Sequence, residues 1–304
     1  MNNKRPLTFL TLGISVCLCA CEPAPPVVNP AYMAEIQSSR AQREERLKAP
    51  DGWLSLVGLD WLSDGDNRIG ADPDAVVFLE APGIPQNLGT ITLHQGKATL
   101  VVAADAEVRL NDEIIKQPRV LLPDTDEGGP DLLRIGRLTA YLIERGDRLA
   151  IRIKDPEAPT RQDFTGIEYF PLNPALRVEA RLEAFPEPRD VSIPTAVGTE
   201  DHMLCPGILH FTVDGRELTL QPWIGTPDDR DLFIVFTDGT SGRLTYGAGR
   251  FLSAELREDG TATLDFNQAT TPPCGFTPFA TCPLAPPENA LAVDILAGEQ
   301  LLAH

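Results

Sequence analysis

From Asp51 onward the chain never sustains a helical pattern. Apolar residues come in short or alternating runs, each cut off by Gly, Pro, Asn or Asp, and the whole sequence holds 24 Gly and 28 Pro. Proline removes a backbone donor and glycine loses the most entropy on ordering, so helices cannot propagate through such punctuation, whereas short strands joined by tight turns can. The sequence therefore predicts a mainly β protein. Candidate strands recur at 53–59, 75–79, 89–94, 98–102, 107–110, 139–144 and 149–153. A second set follows at 177–183, 208–213, 218–222, 232–236, 244–247, 251–256 and 263–266. Asp214-Gly215 and Asp259-Gly260 stand between neighbours in that set, as hairpin turns should. Pro156, Pro159, Pro171 and Pro174 cluster between the two sets. The expected organisation is two antiparallel β-rich domains, a sandwich over 50–158 and a second barrel or sandwich over 159–304.

The N-terminal sixth reads differently. Lys4 and Arg5 introduce an apolar segment, Leu7–Ala20, shorter than the ~20 residues a membrane-spanning helix needs, and it closes on Leu18-Cys19-Ala20-Cys21. That run resembles a bacterial lipobox, which implies a signal peptide over 1–20 and a lipid on the Cys21 thiol. Glu22 follows, and the absence of Asp there implies sorting to the outer membrane in a Gram-negative host. Residues 21–30 form a proline-rich tether. Residues 31–49 hold the one convincing helix, rich in good helix formers, stopped by Pro50 and carrying only a weak apolar stripe of Tyr32, Met33, Ile36 and Leu47.

The formal net charge is −18, and removal of residues 1–20 takes away two cations and no acid. So acidic a body repels nucleic acid, and the expected partners are the membrane, through the Cys21 lipid, and either a small anionic or sugar-like ligand or another envelope component. Three cysteines remain beyond Cys21. Cys274 and Cys282 flank a short proline-rich loop and, in an oxidising compartment, read as a local disulfide contributing roughly 2.5 kcal/mol, while Cys205 reads as a small buried hydrophobe. Their spacing is too long for a zinc site. Asp124, Asp126 and Gly129 fit part of a calcium loop, but Gly128 and Ile135 stand where oxygen ligands belong. No metal or cofactor is expected.

Pro50–Leu62 with Trp53 and Trp61, Leu232–Phe236, Tyr246 with Gly249–Leu252, Asp265–Asn267, Pro272–Cys274 and the run from Cys282 to Asn289 together resemble the family catalogued as domain of unknown function 1684. The likeness spans nearly the whole chain after Cys21 and implies no activity. Asn67–Leu79 and Leu133–Gly136 are similar, more weakly, to a forkhead-associated β sandwich. Those domains place an arginine after the first Ile-Gly to hold phosphate. Here Ala71 follows Gly70, so the likeness implies the fold and not a phosphopeptide site, with Arg68 a turn or surface residue.

The densest polar cluster lies in the last third. Arg243, Tyr246 and Arg250 precede Asp265, Asn267, Glu288, Asn289 and Glu299. One reading makes this a ligand site, with an arginine gripping an anionic group and Tyr246 donating a hydrogen bond. A second makes Asp265 and Glu288 the paired carboxylates of a hydrolase, with Tyr246 beside them. A third is a passive envelope assembly factor with no pocket and an exposed apolar patch. His94, His202, His210 and His304 show no ligand spacing, and neither a nucleophile elbow nor a zinc-protease helix occurs.

Overall fold

The computed structural model describes residues 29–301. The signal segment, Cys21, most of the tether and His304 lie outside the described residues. The helix α1 runs Pro30–Lys48, one residue earlier than expected. Asn29 caps it by accepting from the Ala31 N–H at 2.9 Å, and Pro30 sits at the first helical position, where its missing donor costs nothing. Tyr32, Ile36 and Leu47 are buried, whereas Met33 is left exposed.

The first unit is a β sandwich built from β1 (Leu56–Trp61), β2 (Gly65–Gly70), β3 (Val77–Phe78), β4 (Gly89–His94), β5 (Lys97–Val102), β6 (Arg109–Leu110), β7 (Glu113–Ile114), β8 (Arg119–Val120), β9 (Leu133–Ile135), β10 (Leu138–Arg145) and β11 (Arg148–Lys154). One sheet has the order β1-β11-β10-β9-β6-β7 and the other β3-β2-β4-β5-β8. The two close over one core, with Ile69, Ile91 and Leu100 facing Leu133, Leu142, Ile151 and Ile153. Strand alternation explains the choice: Leu149, Ile151 and Ile153 point into that core, which turns Arg152 and Lys154 to the opposite face. Arg68 is a surface residue of β2 and not a turn residue, gripping Asp72 at 2.7 Å and the Asp74 carbonyl at 2.8 Å. The acidic loop is architectural. Asp124 receives two donors from Arg145 at 2.8 and 3.0 Å, and Asp131 accepts from the Leu122 N–H.

A short helix, α2 (Pro159–Gln162), separates this unit from β12 (Arg177–Pro194), β13 (Glu200–Val213), β14 (Arg216–Leu220), β15 (Asp231–Phe236), β16 (Arg250–Glu255) and β17 (Thr261–Asp265). A four-stranded sheet, β14-β13-β12-β17, faces the two-stranded ribbon β15-β16. Leu209, Phe211 and Leu264 of the sheet meet Ile234, Phe236 and Leu252 of the ribbon, and Phe266 wedges its ring 5.8 Å from Phe211 and 5.4 Å from Phe236. Of the two architectures expected for this unit, the sandwich is found; among the described residues no sheet closes into a barrel.

Three elements depart from expectation. β12 runs on to Pro194 because its pairing with β13 survives an irregularity between Ala184 and Arg189, where Pro186 and Pro188 supply no donors. The expected strand at 244–247 is a tight turn instead, with the N–H groups of Arg243, Leu244 and Thr245 all donating to the Thr240 carbonyl. The helix, read as a weakly amphipathic surface element, is bound to the second unit by polar side chains. Asp214-Gly215 does form the β13–β14 hairpin, with φ of 49° and 74°.

Candidate functional site

The polar residues of the last third do not converge on one site. They divide into six separate constellations. Arg250, at the start of β16, is fully buried and pairs with Asp238 at 2.6 Å while donating to the carbonyls of Ile295 at 3.0 Å and Ala297. Burial lowers its pKa and the Asp238 carboxylate opposes that shift. Asp238 also accepts from the Thr240 N–H and hydroxyl at 2.7 and 2.6 Å. The pair therefore stitches the C-terminal segment to the ribbon and has no room for a ligand. Arg243, by contrast, is exposed and occupied at the surface by Asp294 at 3.0 Å and the Gly239 carbonyl.

Asp265 and Asn267 do meet, at the end of β17. Tyr32 of α1 donates its hydroxyl to both Asp265 oxygens at 2.8 and 2.9 Å, and the Asn267 side-chain amide donates to Asp265 and to the Asn173 carbonyl. Asn267 Oδ1 accepts from the Asn173 N–H at 2.8 Å. Burial and the neighbouring carboxylate raise the Tyr32 pKa, which keeps it a donor. Arg177 stands 3.8 Å from Asp265 with its guanidinium over the Tyr32 ring. Every oxygen of this carboxylate is engaged in holding the helix.

Glu299 does the same about three turns further along α1. It is wholly buried, accepting from Arg43 Nε at 3.0 Å and from the Thr271 N–H at 2.6 Å. Burial raises its pKa against the pull of Arg43. The approach depends on Gly298, whose φ of +79° and whose missing Cβ, which would lie 2.5 Å from the Ala269 carbonyl oxygen, let the chain pack closely against the Phe266–Ala269 segment.

Tyr246 is half-buried, its pKa pushed up to about 12 by burial and by its hydrogen bond to the Cys274 carbonyl at 3.2 Å. It leads to the cysteines. Cys274 and Cys282 are neighbours, the Cys274 N–H donating to Cys282 Sγ at 3.1 Å, but both are free thiols in this structure and not the expected disulfide. The hydrogen bond from Cys282 draws the Cys274 thiol down to about 7 and raises that of Cys282. Cys205 is buried against Ile193, Trp223 and Val235, its thiol raised by burial.

Asn289 is fully buried and structural, exchanging hydrogen bonds with the Gln221 backbone at 2.7 and 3.0 Å and donating to the Val235 carbonyl. Glu288, next to it, has no ion-pair partner among the described residues and points its carboxylate into solvent at an open groove of about 1000 Å³. The groove runs between β12–β14 and the segment Glu288–Ala292. Apolar groups line it at Val178, Phe211, Leu218 and Leu291, and carboxylates at Glu179, Glu217 and Glu288. Asp265 lies outside it, so the two carboxylates expected to form a hydrolytic pair share neither cavity nor hydrogen bond. His210 and Arg181 complete the wall, the histidine held by Glu183 at 2.8 Å.

The residues that sequence reasoning missed are Tyr32, Arg43 and Asp238. Each acts across more than ten residues of chain, and none stands in a motif. The sequence profile described as a protein of unknown function, DUF1684, matches residues 162–300, which holds every constellation above apart from the helix residues. An uncharacterized protein of Haloarcula marismortui, solved in solution by NMR, is 35% identical over 46% of this chain and 78% of that one, with a TM-score of 0.40. The chain belongs to the DUF1684 family. No curated protein matches it. In this DUF1684 chain the matched segment corresponds to the second unit, so the groove and the buried pairs belong to the family portion, and the first sandwich precedes it.

Proposed function

We propose that the protein is a lipid-anchored envelope component whose second unit binds a small neutral, hydroxyl-rich ligand in the groove between β12–β14 and Glu288–Ala292. One observation carries this reading: the groove is the place where an expected site residue, Glu288, is free of structural partners, beside an apolar surface and further carboxylates. Apolar groups suit the face of a sugar ring, and carboxylates accept hydrogen bonds from its hydroxyls. Glu217 and Glu288, with Glu179 paired to Arg257, outnumber Arg181 among the lining residues, which disfavours an anionic ligand. With Asp265 locked to Tyr32, nothing favours the hydrolase alternative. Titration of the purified protein with neutral glucose- and N-acetylglucosamine-based oligosaccharides, followed by calorimetry, should give saturable binding that Glu288→Ala weakens about tenfold, as loss of one hydrogen bond to a charged acceptor predicts. Absence of binding across the panel, or identical binding by the variant, counts against the groove.

The anchoring and redox parts of this reading rest on Cys21 and on the contact between Cys274 and Cys282. A thiol drawn down to about 7 beside a second thiol is poised for oxidation in an oxidising compartment, where the two close as a disulfide with loss of two protons and two electrons to the envelope's thiol-oxidising machinery. Mass analysis of the protein isolated from membranes is expected to show a diacylglyceryl-modified N-terminal peptide beginning at Cys21 and a 274–282 cross-link. A soluble, unlipidated product or two alkylatable thiols would remove the corresponding claim. The likeness of the first sandwich to forkhead-associated domains extends, in our reading, to the fold alone, because Arg68 is committed to Asp72.

A further inference from the structure

Arg152 of β11 is buried where the two units meet, 3% exposed, and has no carboxylate within ion-pair distance among the described residues. It donates to Thr281 Oγ1 at 3.1 Å, leaves Nε unpartnered, and stands 5.6 and 6.0 Å from the ring centres of Trp53 and Tyr141. A hydroxyl and two rings do not replace a counter-charge for a desolvated cation. Arg145 reaches the same Thr281 hydroxyl at 2.9 Å, but Asp124 neutralises it at 2.8 Å. Glu144 and Asp201 line the pocket beside Cys282, where Glu144 takes the Thr125 hydroxyl at 2.6 Å and neither acid pairs with Arg152. The residue after Thr281 can supply the missing charge: it is Cys282, whose thiolate Arg152 favours.

In the reduced pair Cys282 shares its proton with the Cys274 sulfur, and that hydrogen bond is what first holds Cys282 protonated. Once Cys274 is bonded to another sulfur the constraint is gone. Burial then still opposes a charge on Cys282, while the Cys274 N–H at 3.1 Å and the Arg152 guanidinium support one. The two cysteines also differ in access. Cys274 is partly exposed and Cys282 is buried. An open pocket of about 340 Å³ lies alongside, with apolar walls from Trp53, Phe251, Pro273 and Pro283 that suit the residues flanking a partner's cysteine.

We propose that Cys274–Cys282, once closed as a disulfide, is an exchange site that oxidises a dithiol peptide or protein, with Arg152 placed to take the charge of the departing Cys282 sulfur. This rests on the disulfide of the reading above and is independent of the groove. A substrate thiolate attacks Cys274 Sγ, the Cys274–Cys282 bond breaks, and its electron pair leaves on Cys282. The second substrate thiolate attacks the substrate sulfur of the mixed disulfide, forms the substrate disulfide and releases Cys274. The substrate thus gives up two electrons and two protons; the electrons reduce the pair, one proton is shared between its sulfurs and the other goes to water. A stabilised leaving sulfur speeds the first step and makes the disulfide a stronger oxidant.

The test equilibrates the purified protein in mixtures of reduced and oxidised glutathione, followed by alkylation and mass analysis. The pair is expected to titrate between its two forms across millimolar mixtures, where a structural disulfide stays closed. Arg152→Met should shift the equilibrium about tenfold toward the disulfide, about 30 mV, and Arg152→Lys, which keeps the charge, should restore most of it. Cys282→Ser treated with glutathione disulfide should hold one glutathione on Cys274, and the oxidised wild type should convert one equivalent of a reduced dithiol peptide. A disulfide that stays closed in every mixture, no adduct on Cys274, or an unshifted equilibrium in folded Arg152→Met overturns the exchange site and leaves the disulfide standing. Where Arg152→Met fails to fold, the wild-type titration and the Cys282→Ser adduct decide. Thiols that never close overturn both.

Discussion

Replacing Arg250 with alanine is expected to destabilise the second unit by about 3–5 kcal/mol, the largest effect of any single substitution considered for this protein. The guanidinium and its partner Asp238 are both fully shielded from water, so removal of one charge strands the other where it cannot be solvated. Asp238 would keep the Thr240 N–H and hydroxyl, but those two dipoles do not replace a cation. The carbonyls of Ile295 and Ala297 would lose their donors as well. Urea denaturation followed through Trp223, the second unit's only tryptophan, reads this directly. A double variant, Arg250→Met with Asp238→Leu, should recover a large part of the loss, because removing both charges also removes their desolvation cost. If Arg250→Ala costs less than about 1 kcal/mol, the pair is hydrated in solution and its structural reading is wrong.

Replacing Asp265 with alanine is expected to cost about 3 kcal/mol and to loosen α1. Tyr32 would lose both acceptors for its hydroxyl, and the Asn267 amide and the Gln268 side chain would each lose one. Tyr32→Phe removes one donor and leaves the carboxylate with its other partners, so it should cost only about 1 kcal/mol. The local consequence separates this from a general loss of stability. Arg40, Arg43, Arg46 and Lys48 are tryptic sites within α1, and limited trypsin digestion should cut the Asp265→Ala variant in the helix well before the wild type. Unchanged digestion in the helix would mean that α1 is held by the Arg43–Glu299 pair and the buried Ile36 and Leu47, with Asp265 free for another role.

These two residues show how a functional reading of polar residues can turn architectural. Arg250 and Asp265 stand in family motifs and have the chemistry of a ligand site. Their partners, Asp238 and Tyr32, lie in unrelated stretches of sequence. Glu288 shows the reverse: its neighbour Asn289 satisfies the buried backbone of Gln221 and Val235, which leaves Glu288 itself facing the groove.

The mainly β character, the hairpin at Asp214-Gly215, the stop of α1 before Pro50 and the closeness of Cys274 to Cys282 were legible from local chemistry. Glycine and proline punctuation, turn dihedrals and short loop closure act over a few residues, so the chain itself carries them. The choice of sandwich over barrel, the extension of β12 past Pro188, the docking of α1 by Tyr32 and Arg43, and the scattering of the polar cluster were decided by tertiary structure. A buried charge must find its counter-charge wherever the fold brings one near, and period-two patterning records which face of a strand is buried but not what lies across from it.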